Sequence, residues 1–309
     1  MFRQAAFEKN GKFLKGALHC HTTRSDGAGD PADVMRLHKE NGYDFMAITD
    51  HRRYNYVSFA PETDLLVIPG MEMDRNVQKR HAMCFHTVSI GPSREDGNGF
   101  EQDQTFPSGN VEDQFEYQPV VDMLRDNRNM VIYCHPDWSC TPYTSFNKLQ
   151  GVFAMEIWNS GCVIEDGMDT NAYCWDDILR EGGKIWGVAT DDGHAMHQHC
   201  KGWVMVNAKK ELNAVLEALE NGEFYSSTGP EIYDFYVEDG VVHVKCSPVT
   251  QMRIITGTRP ERILKGEEMT EGEIKMNSPE LAPYVRVEIM DKDGNRAWTN
   301  PIYFEDCRI

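Results

Sequence analysis

The sequence has no apolar run close to the 18 or so residues that a membrane-spanning helix requires. Its first sixteen residues carry charges and lack the continuous apolar core of a signal peptide. The nine cysteines are odd in number and include no C-x-x-C pair, which argues against a disulfide framework in a chain of 309 residues. These absences predict a cytoplasmic protein with reduced thiols.

Positive charge is scarce, with 31 Lys and Arg residues against 49 Asp and Glu residues and a net charge of −18. A surface of this charge repels polyanions, so we expect no nucleic-acid partner. Divalent cations bound at a site would reverse the charge locally and could still attract a small anionic substrate. The expected partner is therefore a small molecule, and the sequence does not indicate an oligomeric state.

The signatures of several enzyme classes are missing. The chain contains no Gly-x-Ser-x-Gly nucleophile elbow, no phosphate-binding Walker loop and no dinucleotide fingerprint. The nine cysteines could include a nucleophile, but none of them is distinguished by its sequence context. Any catalysis is therefore expected to depend on other residue types.

From Gly16 to about Gly222, short apolar runs alternate with amphipathic segments. This alternation predicts an α/β fold with a mainly parallel sheet, and seven such runs favour a closed seven-stranded (β/α) barrel. The predicted strands are 16–20, 44–49, 65–69, 82–90, 130–134, 153–158 and 185–189, and the predicted helices are 31–41, 120–127, 172–181 and 211–221.

Two parts of the chain depart from this pattern. Residues 92–117 contain seven acidic residues and one arginine, so we interpret them as a surface insertion, either a solvated loop or a mobile flap. Beyond residue 229, Asp239-Gly240 and Asp293-Gly294 are typical of tight hairpin turns between short strands. The predicted domains are a barrel over 1–228 and a small β-sandwich over 229–309.

Histidines and carboxylates follow the ends of the predicted strands. His19 and His21 close the first strand, and Asp192 and His194 follow the last one. Side chains at positions i and i+2 of a strand share a face, so each pair can direct two ligand atoms at one point. Barrels of parallel strands carry their catalytic groups at these carboxyl ends. The joint pattern predicts a metal centre, whose other candidate ligands are Asp26, His51, Glu72, His81 and His135.

Six short motifs follow one another between residues 14 and 200: Leu18-His19-Cys20-His21, Ser25-Asp26-Gly27, Ile48-Thr49-Asp50-His51, Pro69-Gly70-Met71-Glu72, Tyr133-Cys134-His135-Pro136 and Asp192-Gly193-His194. Together, and in this order, they resemble the PHP family of metallophosphoesterases. The segment Phe224-Tyr225-Ser226-Ser227-Thr228-Gly229-Pro230, which leads into β-structure, is similar more narrowly to two-domain PHP proteins of the CehA/McbA-like group.

The resemblance implies a distorted, TIM-like PHP barrel of seven strands that holds two or three divalent ions. One ion would take His19, His21, Glu72 and Asp192, a second would take Glu72, His81 and His135, and a third would take Asp26, His51 and His194. Glu72 would bridge two ions, because a carboxylate has two oxygens whereas an imidazole offers one free nitrogen. His86 lies on the same run as His81 and is the alternative to it. Imidazole and carboxylate ligands without thiolate fit zinc, manganese or iron.

The expected reaction is hydrolysis of a phosphate ester in a small phosphorylated molecule by a metal-bridging hydroxide. Glu72, Asp192 and His194 are the expected catalytic residues, and Arg52 and His199 are the expected substrate contacts. The same centre would also suit a carboxylic ester or a carbamate, which enzymes of the narrower group cleave. A third interpretation is a binding protein, in which the ions are structural and the β-domain recognises a sugar or a protein.

Overall fold

The structure is a computed structural model that describes residues 3–7, 12–78, 82–259 and 262–304. The helices are α1 (Pro31–Glu40), α2 (Gln114–Asp126), α3 (Ser160–Asp166), α4 (Ala172–Arg180) and α5 (Leu212–Asn221). The strands are β1 (Arg3–Ala5), β2 (Phe13–Ala17), β3 (Phe45–Met46), β4 (Leu66–Val67), β5 (Gly70–Val77), β6 (Cys84–Ile90), β7 (Asn110–Val111), β8 (Met130–Tyr133), β9 (Val152–Asn159), β10 (Trp186–Thr190), β11 (Trp203–Asn207), β12 (Phe224–Ser227), β13 (Ile232–Glu238), β14 (Val241–Ile255), β15 (Arg262–Lys275), β16 (Tyr284–Met290), β17 (Arg296–Thr299) and β18 (Ile302–Tyr303).

The strands form two sheets. The larger sheet has the order β1-β13-β14-β16-β17-β12-β11-β2-β3-β4, with β15 paired to β14 and β18 paired to β16. The smaller sheet has the order β10-β9-β8-β6-β5-β7. Parallel pairing of β2 with β3, β3 with β4, β8 with β9 and β9 with β10 confirms a mixed α/β fold. However, β6 pairs antiparallel with both β5 and β8, and β11 pairs antiparallel with β2, so the expectation of a mainly parallel sheet is wrong. The four predicted helices are present, although α2 begins at Gln114 and not at Val120.

The two sheets meet at the strand ends where the predicted ligands lie. After β10, the Asp192 N–H donates to the His19 carbonyl oxygen at 3.1 Å, which joins this segment to the one after β2. At the opposite edge, the Glu72 N–H on β5 donates to the Thr49 carbonyl oxygen at 3.1 Å. These contacts are isolated bridges and not continuous ladders. A closed seven-stranded barrel therefore stays a prediction.

The C-terminal strands continue the larger sheet. β17 pairs with β12, and the pairing continues through β11 to β2, close to the predicted ligands. Asp239 and Gly240 have φ angles of 45° and 77°, the left-handed conformations that a two-residue type I′ hairpin turn requires. The second predicted turn is also present, with Gly294 at a φ angle of 88°. A separate β-sandwich and its boundary at residue 229 stay predictions.

Residues 92–117 differ in part from the expected surface insertion. Most of the segment is exposed, but Phe100, Val111 and Tyr117 are buried in the largest hydrophobic core. Asp113 caps α2, because its side chain accepts two backbone N–H groups of the first turn at 2.8 and 3.1 Å. Because acidic residues dominate this segment, the sequence pattern did not predict its three buried side chains or the start of α2.

Among the residues that the structure describes, no helix combines the length and the apolar character needed to cross a bilayer. The described cysteines are all free thiols, and most of them are buried.

A buried ion pair joins the C-terminal strands to α4. Arg286 on β16 is fully buried, and its Nε and Nη2 each lie 2.8 Å from one carboxylate oxygen of Asp176. The guanidinium also lies over Trp175, 4.7 Å from the ring centroid. Two parallel hydrogen bonds between charged groups set both the distance and the angle between the two elements.

We predict that Asp176→Asn lowers the free energy of unfolding by about 3–5 kcal/mol, because Arg286 would be left as a buried charge without its partner. The matched control is Asp177→Asn, which removes an exposed carboxylate that pairs with Arg180. That change is expected to cost about 0–1 kcal/mol. Urea unfolding followed by circular dichroism measures both values, and similar small losses in the two variants would contradict the role of the buried pair.

Candidate metal centre

Eight of the nine predicted ligands come together around one point. Glu72 lies on β5, and the others lie in the segments that follow β2, β3, β8 and β10. The eight residues are His19, His21, Asp26, His51, Glu72, His135, Asp192 and His194. The ninth, His81, lies outside the described residues. A cavity of about 310 Å³ opens onto the cluster, with Glu72 and Asp192 in its wall. The structure therefore places these eight residues close together, and their role as metal ligands stays a prediction.

Four of these residues form a compact first set. His21 Nε2 lies 3.1 Å from Glu72 Oε2 and 3.0 Å from Asp192 Oδ1. His19 Nε2 lies 3.4 and 3.2 Å from the same two oxygens, and 3.2 Å from His21 Nε2. Ligands of a tetrahedral ion with bonds of about 2.0–2.1 Å are separated by about 3.3–3.4 Å. The distances in the first set are therefore those of ligands that share one ion.

The carboxylate oxygens of the first set are surrounded by imidazoles, and His51 Nδ1 also lies 3.0 Å from Glu72 Oε2. Glu72 Oε2 and Asp192 Oδ1 are buried, and neither accepts a hydrogen bond from any described residue. A buried acceptor without a hydrogen bond costs about 1–3 kcal/mol, whereas a cation between the two oxygens would satisfy both. The residues present therefore fit a divalent metal ion.

Glu72 faces a second set of histidines with its other oxygen. Oε1 lies 2.8 Å from His86 Nδ1 and 3.6 Å from His135 Nε2. The sequence reasoning preferred His81 to His86, because His81 stands at the edge of its apolar run. However, β6 pairs antiparallel with β5 and places His86 opposite Asp74, so the middle of the run lies beside the site. The two oxygens of Glu72 therefore face different histidines, and its bridging role stays a prediction.

Asp26 belongs to a third set near the mouth of the cavity. Its Oδ1 lies 3.5 Å from both His21 Nδ1 and His194 Nε2, and its Oδ2 lies 3.5 Å from His51 Nε2. The side chains of Asp26 and His194 are 54% and 38% exposed, so this set is open to solvent. The structure brings together the three residues predicted for a third ion and places His21 beside them.

A buried carboxylate that the sequence reasoning missed supports the first set. Glu156 on β9 is fully buried, and its Oε1 lies 2.6 Å from His19 Nδ1 and accepts the Thr190 hydroxyl at 2.7 Å. Its Oε2 accepts the His135 backbone N–H and the Asn159 side-chain amide at 2.9 and 2.8 Å. His19 therefore carries its proton on Nδ1 and presents the Nε2 lone pair to an ion. A charged residue inside the apolar strand β9 was the available sequence signal.

The loops that present the ligands are held in place by hydrogen bonds and contain unusual backbone conformations. The Asp50 carboxylate accepts the Thr22 N–H and hydroxyl, each at 2.8 Å, and the Ser25 hydroxyl at 2.9 Å. His135 and Asp192 have φ angles of 25° and 48°, in the region that non-glycine residues rarely occupy. Such conformations cost about 1–3 kcal/mol each and persist where the surroundings impose them, often at functional sites.

The two predicted substrate contacts are placed differently from expectation. The Arg52 guanidinium pairs with the Asp74 carboxylate beside the second set, and Arg52 is not part of the described cavity wall. His199 is 2% exposed and is also absent from that wall, so its burial does not support a substrate contact. Asp191 accepts the backbone N–H groups that follow His199, which folds this segment inward. Sequence spacing alone carries no sign of this tertiary contact.

The charged groups of the cluster shift one another's pKa values. Burial alone would raise the pKa of Glu72, but the neighbouring histidines, His51 above all, hold the pKa of this carboxyl well below its ordinary value. Burial alone would lower the pKa of His21, yet its contacts with Asp192 and Glu72 raise that pKa to about 9. In the metal-free protein the carboxylates are therefore ionised and protons lie on imidazoles, from which a metal ion would displace them.

We predict that the metal-free protein loses stability as the pH rises from 6.5 through about 9. A histidine whose pKa is raised by folding stabilises the folded state fully below its unfolded pKa, and this contribution disappears as the pH passes the folded pKa. Thermal melts of chelator-treated protein across this pH range measure the effect. The His21→Asn variant should show a shallower alkaline decline, and a flat profile for the unaltered protein would contradict the prediction.

We predict that Glu156→Gln weakens metal binding about 10- to 100-fold, because His19 Nδ1 would lose the charged acceptor that orients its ring. Competition with a chromophoric chelator measures the affinity, and circular dichroism verifies the fold. The control is Glu271→Gln, an exposed position on β15 that is expected to leave the affinity unchanged. Equal affinities in the two variants would exclude a positioning role for Glu156.

In sequence, a short part of the chain is similar to a known protein. No protein-family model matches it. A stretch of 61 residues is 38% identical to the DNA polymerase/3'-5' exonuclease PolX of Bacillus subtilis (strain 168), and this match spans 20% of the chain and 11% of the polymerase.

Solved structures resemble a larger part of the chain. An amidohydrolase from Chromobacterium violaceum aligns with 59% of this chain and 88% of its own, with 13% identity and a TM-score of 0.42. A two-domain protein containing a predicted PHP-like metal-dependent phosphoesterase, from Bacteroides vulgatus ATCC 8482, aligns over 97% of this chain and 98% of its own. The identity is 15% and the TM-score is 0.52. The resemblance to PHP proteins is thus confirmed in the fold, which this chain shares with the two-domain PHP-like structure.

Proposed function

We propose that this protein is a metal-dependent phosphoesterase that hydrolyses a small phosphorylated molecule. The observation that carries the proposal is the first set, in which two imidazole nitrogens lie 3.0–3.4 Å from two carboxylate oxygens and 3.2 Å from each other. Glu72 extends this set to further histidines through its second oxygen. The description of the PHP-like structural neighbour as a predicted metal-dependent phosphoesterase supports the same reaction class.

The three sets of residues would hold two or three divalent ions, with zinc, manganese and iron as candidates. The first ion would take His19, His21, Glu72 and Asp192, the second Glu72, His86 and His135, and the third Asp26, His51 and His194. His81 stays a predicted alternative for the second ion. When bound, such ions supply Lewis acidity, lower the pKa of water and neutralise charge on phosphate oxygens.

The protein's own groups prepare this site in three ways. Glu72 and Asp192 hold negative charge in a buried position, where a cation is the natural counter-charge. The His194 Nδ1–H donates to the Asp192 carbonyl oxygen at 2.9 Å, so its Nε2 lone pair faces Asp26. Trp138 packs edge to face against two imidazoles of the second set, at 5.0 and 5.7 Å between ring centroids, and so restricts their rotation.

The proposed architecture is a distorted seven-stranded PHP barrel over residues 1–228 with an accessory β-domain over 229–309. The hydrogen bonds that join the two sheets at both edges of the site support the barrel. The proposed location is the cytoplasm, which the free thiols of the described cysteines support.

The charge of the cavity favours a second candidate, hydrolysis of a carboxylic ester or carbamate at the same centre. None of the described residues that line the cavity is Lys or Arg, and Glu165 and Asp166 add negative charge to its wall. A phosphate dianion would have to pass these carboxylates, whereas a neutral ester would not be repelled. A protein in which the ions are purely structural would turn over neither kind of substrate.

We predict that Glu72→Gln reduces turnover more than about a hundredfold and lowers the metal content, because a neutral amide cannot hold two cations. Elemental analysis gives the metal content, and hydrolysis assays with added Mn²⁺ or Zn²⁺ give the turnover. Glu271→Gln again serves as the exposed control. Full activity in the Glu72 variant would refute the proposed centre.

A panel of aryl phosphomonoesters, cyclic phosphodiesters, aryl carboxylic esters and carbamates distinguishes the two candidate reactions. The primary proposal expects metal-dependent turnover of the phosphate substrates and little turnover of the others. The opposite preference would establish the second candidate. No turnover of any class by the metal-loaded protein would favour a binding function.

A further inference from the structure

Behind the metal centre lies a second cluster of buried histidines and a carboxylate. His38 on α1, Asp191 directly after β10, and His199 are each at most 2% exposed. One ligand atom from each residue lies within 4.8 Å of the other two. None of them belongs to the three sets described above, although Asp191 precedes Asp192 in the chain.

Hydrogen bonding determines which nitrogen of His38 is free. Its Nδ1 lies 2.8 Å from the Val34 carbonyl oxygen, one helical turn earlier, and must donate to it. Nε2 therefore carries the lone pair, and it has no hydrogen-bond partner among the described residues. It lies 3.8 Å from Asp191 Oδ2. An imidazole that donates one N–H to a backbone carbonyl and directs its other nitrogen inward has the arrangement of a metal ligand.

The ring nitrogens of His199 have fewer hydrogen-bond partners among the described residues than those of His38. Neither of its ring nitrogens has a hydrogen-bond partner in the part of the chain that the structure describes. Its ring lies edge to face with the His38 ring, 5.3 Å between centroids. The backbone at Gly193 passes so close that a Cβ there would lie 2.4 Å from His199 Nδ1. Buried polar side chains in proteins almost always have a partner, so these nitrogens indicate a bound species.

Asp191 supplies a fixed negative charge to the cluster. Its Oδ1 accepts the Lys201 and Gly202 N–H groups, each at 2.8 Å, and its Oδ2 accepts the Cys200 N–H at 2.6 Å. These bonds orient the carboxylate. Because a carboxylate oxygen has two lone pairs, Oδ2 keeps one for a further partner on the side of His38.

We propose that His38, Asp191 and His199 bind a structural Zn²⁺ ion that is separate from the hydrolase centre. Two imidazoles and one carboxylate are typical zinc ligands, and the complete burial of all three residues indicates a structural and not a substrate-facing ion. The ion would link α1 to the segment after β10, which carries Asp192. The proposal does not depend on the reaction that the protein catalyses.

The test counts zinc ions per chain. The 309-residue chain and its variants are saturated with Zn²⁺, passed through a desalting column and measured by elemental analysis, with circular dichroism to verify the fold. His38→Gln and His199→Gln are each expected to lose one zinc per chain. The double variant should lose the same single ion, because both residues act on it. His197→Gln, an exposed neighbour, should keep the full content.

Unchanged zinc content in both single variants would overturn the proposal and leave a buried water as the partner of these nitrogens. If either variant fails to fold, anomalous diffraction at the zinc edge from crystals of the unaltered protein decides the question. A peak among His38, Asp191 and His199 would support the site, and its absence in zinc-saturated crystals would overturn it. Neither readout requires hydrolytic activity, so failure of the phosphoesterase proposal would be seen separately.

Discussion

The buried carboxylate of Glu72 is the group on which the metal centre depends. It is 1% exposed, and one oxygen faces the first set while the other faces His86 and His135. Removing a carboxylate from water costs several kcal/mol unless opposite charge surrounds it. The fold offsets this cost with imidazoles from several strands, and those imidazoles are in turn close enough to share a cation. Because Glu72 belongs to both sets, neither can be rearranged alone.

Backbone hydrogen bonds and one buried carboxylate position these groups. The Asp192 N–H holds the segment after β10 to the one after β2, and the Glu72 N–H holds β5 to the segment after β3. Glu156 then orients the His19 ring from behind. The ligands are therefore already gathered before an ion binds, and less conformational entropy is lost when one does. The C-terminal strands contribute indirectly, since they continue the sheet that contains β2.

Much of this could be predicted from the sequence wherever the signal is local. His19 and His21 share a face because they are two residues apart, and Asp239-Gly240 forms its hairpin turn for reasons contained in two residues. His86 was ranked below His81, and Glu156 was missed, because both lie inside strands, where the direction of a side chain depends on pairing with distant residues. The inward position of His199 likewise depends on hydrogen bonds to Asp191. The closure of the barrel and the extent of the β-domain depend on strand order, which no short pattern encodes.

Two consecutive carboxylates show how one backbone feature can serve two sites. Asp192 has a φ angle of 48°, a left-handed conformation that turns the chain sharply and is costly for a residue with a Cβ. Its carboxylate meets His19 and His21, whereas that of Asp191 anchors the segment after His199 and faces His38. Gly193, next in the chain, leaves the space that the His199 ring occupies. A cation bound by His38, Asp191 and His199 would therefore stabilise the same turn that places Asp192 at the metal centre. The buried histidines would then act on catalysis through the backbone, without touching the substrate.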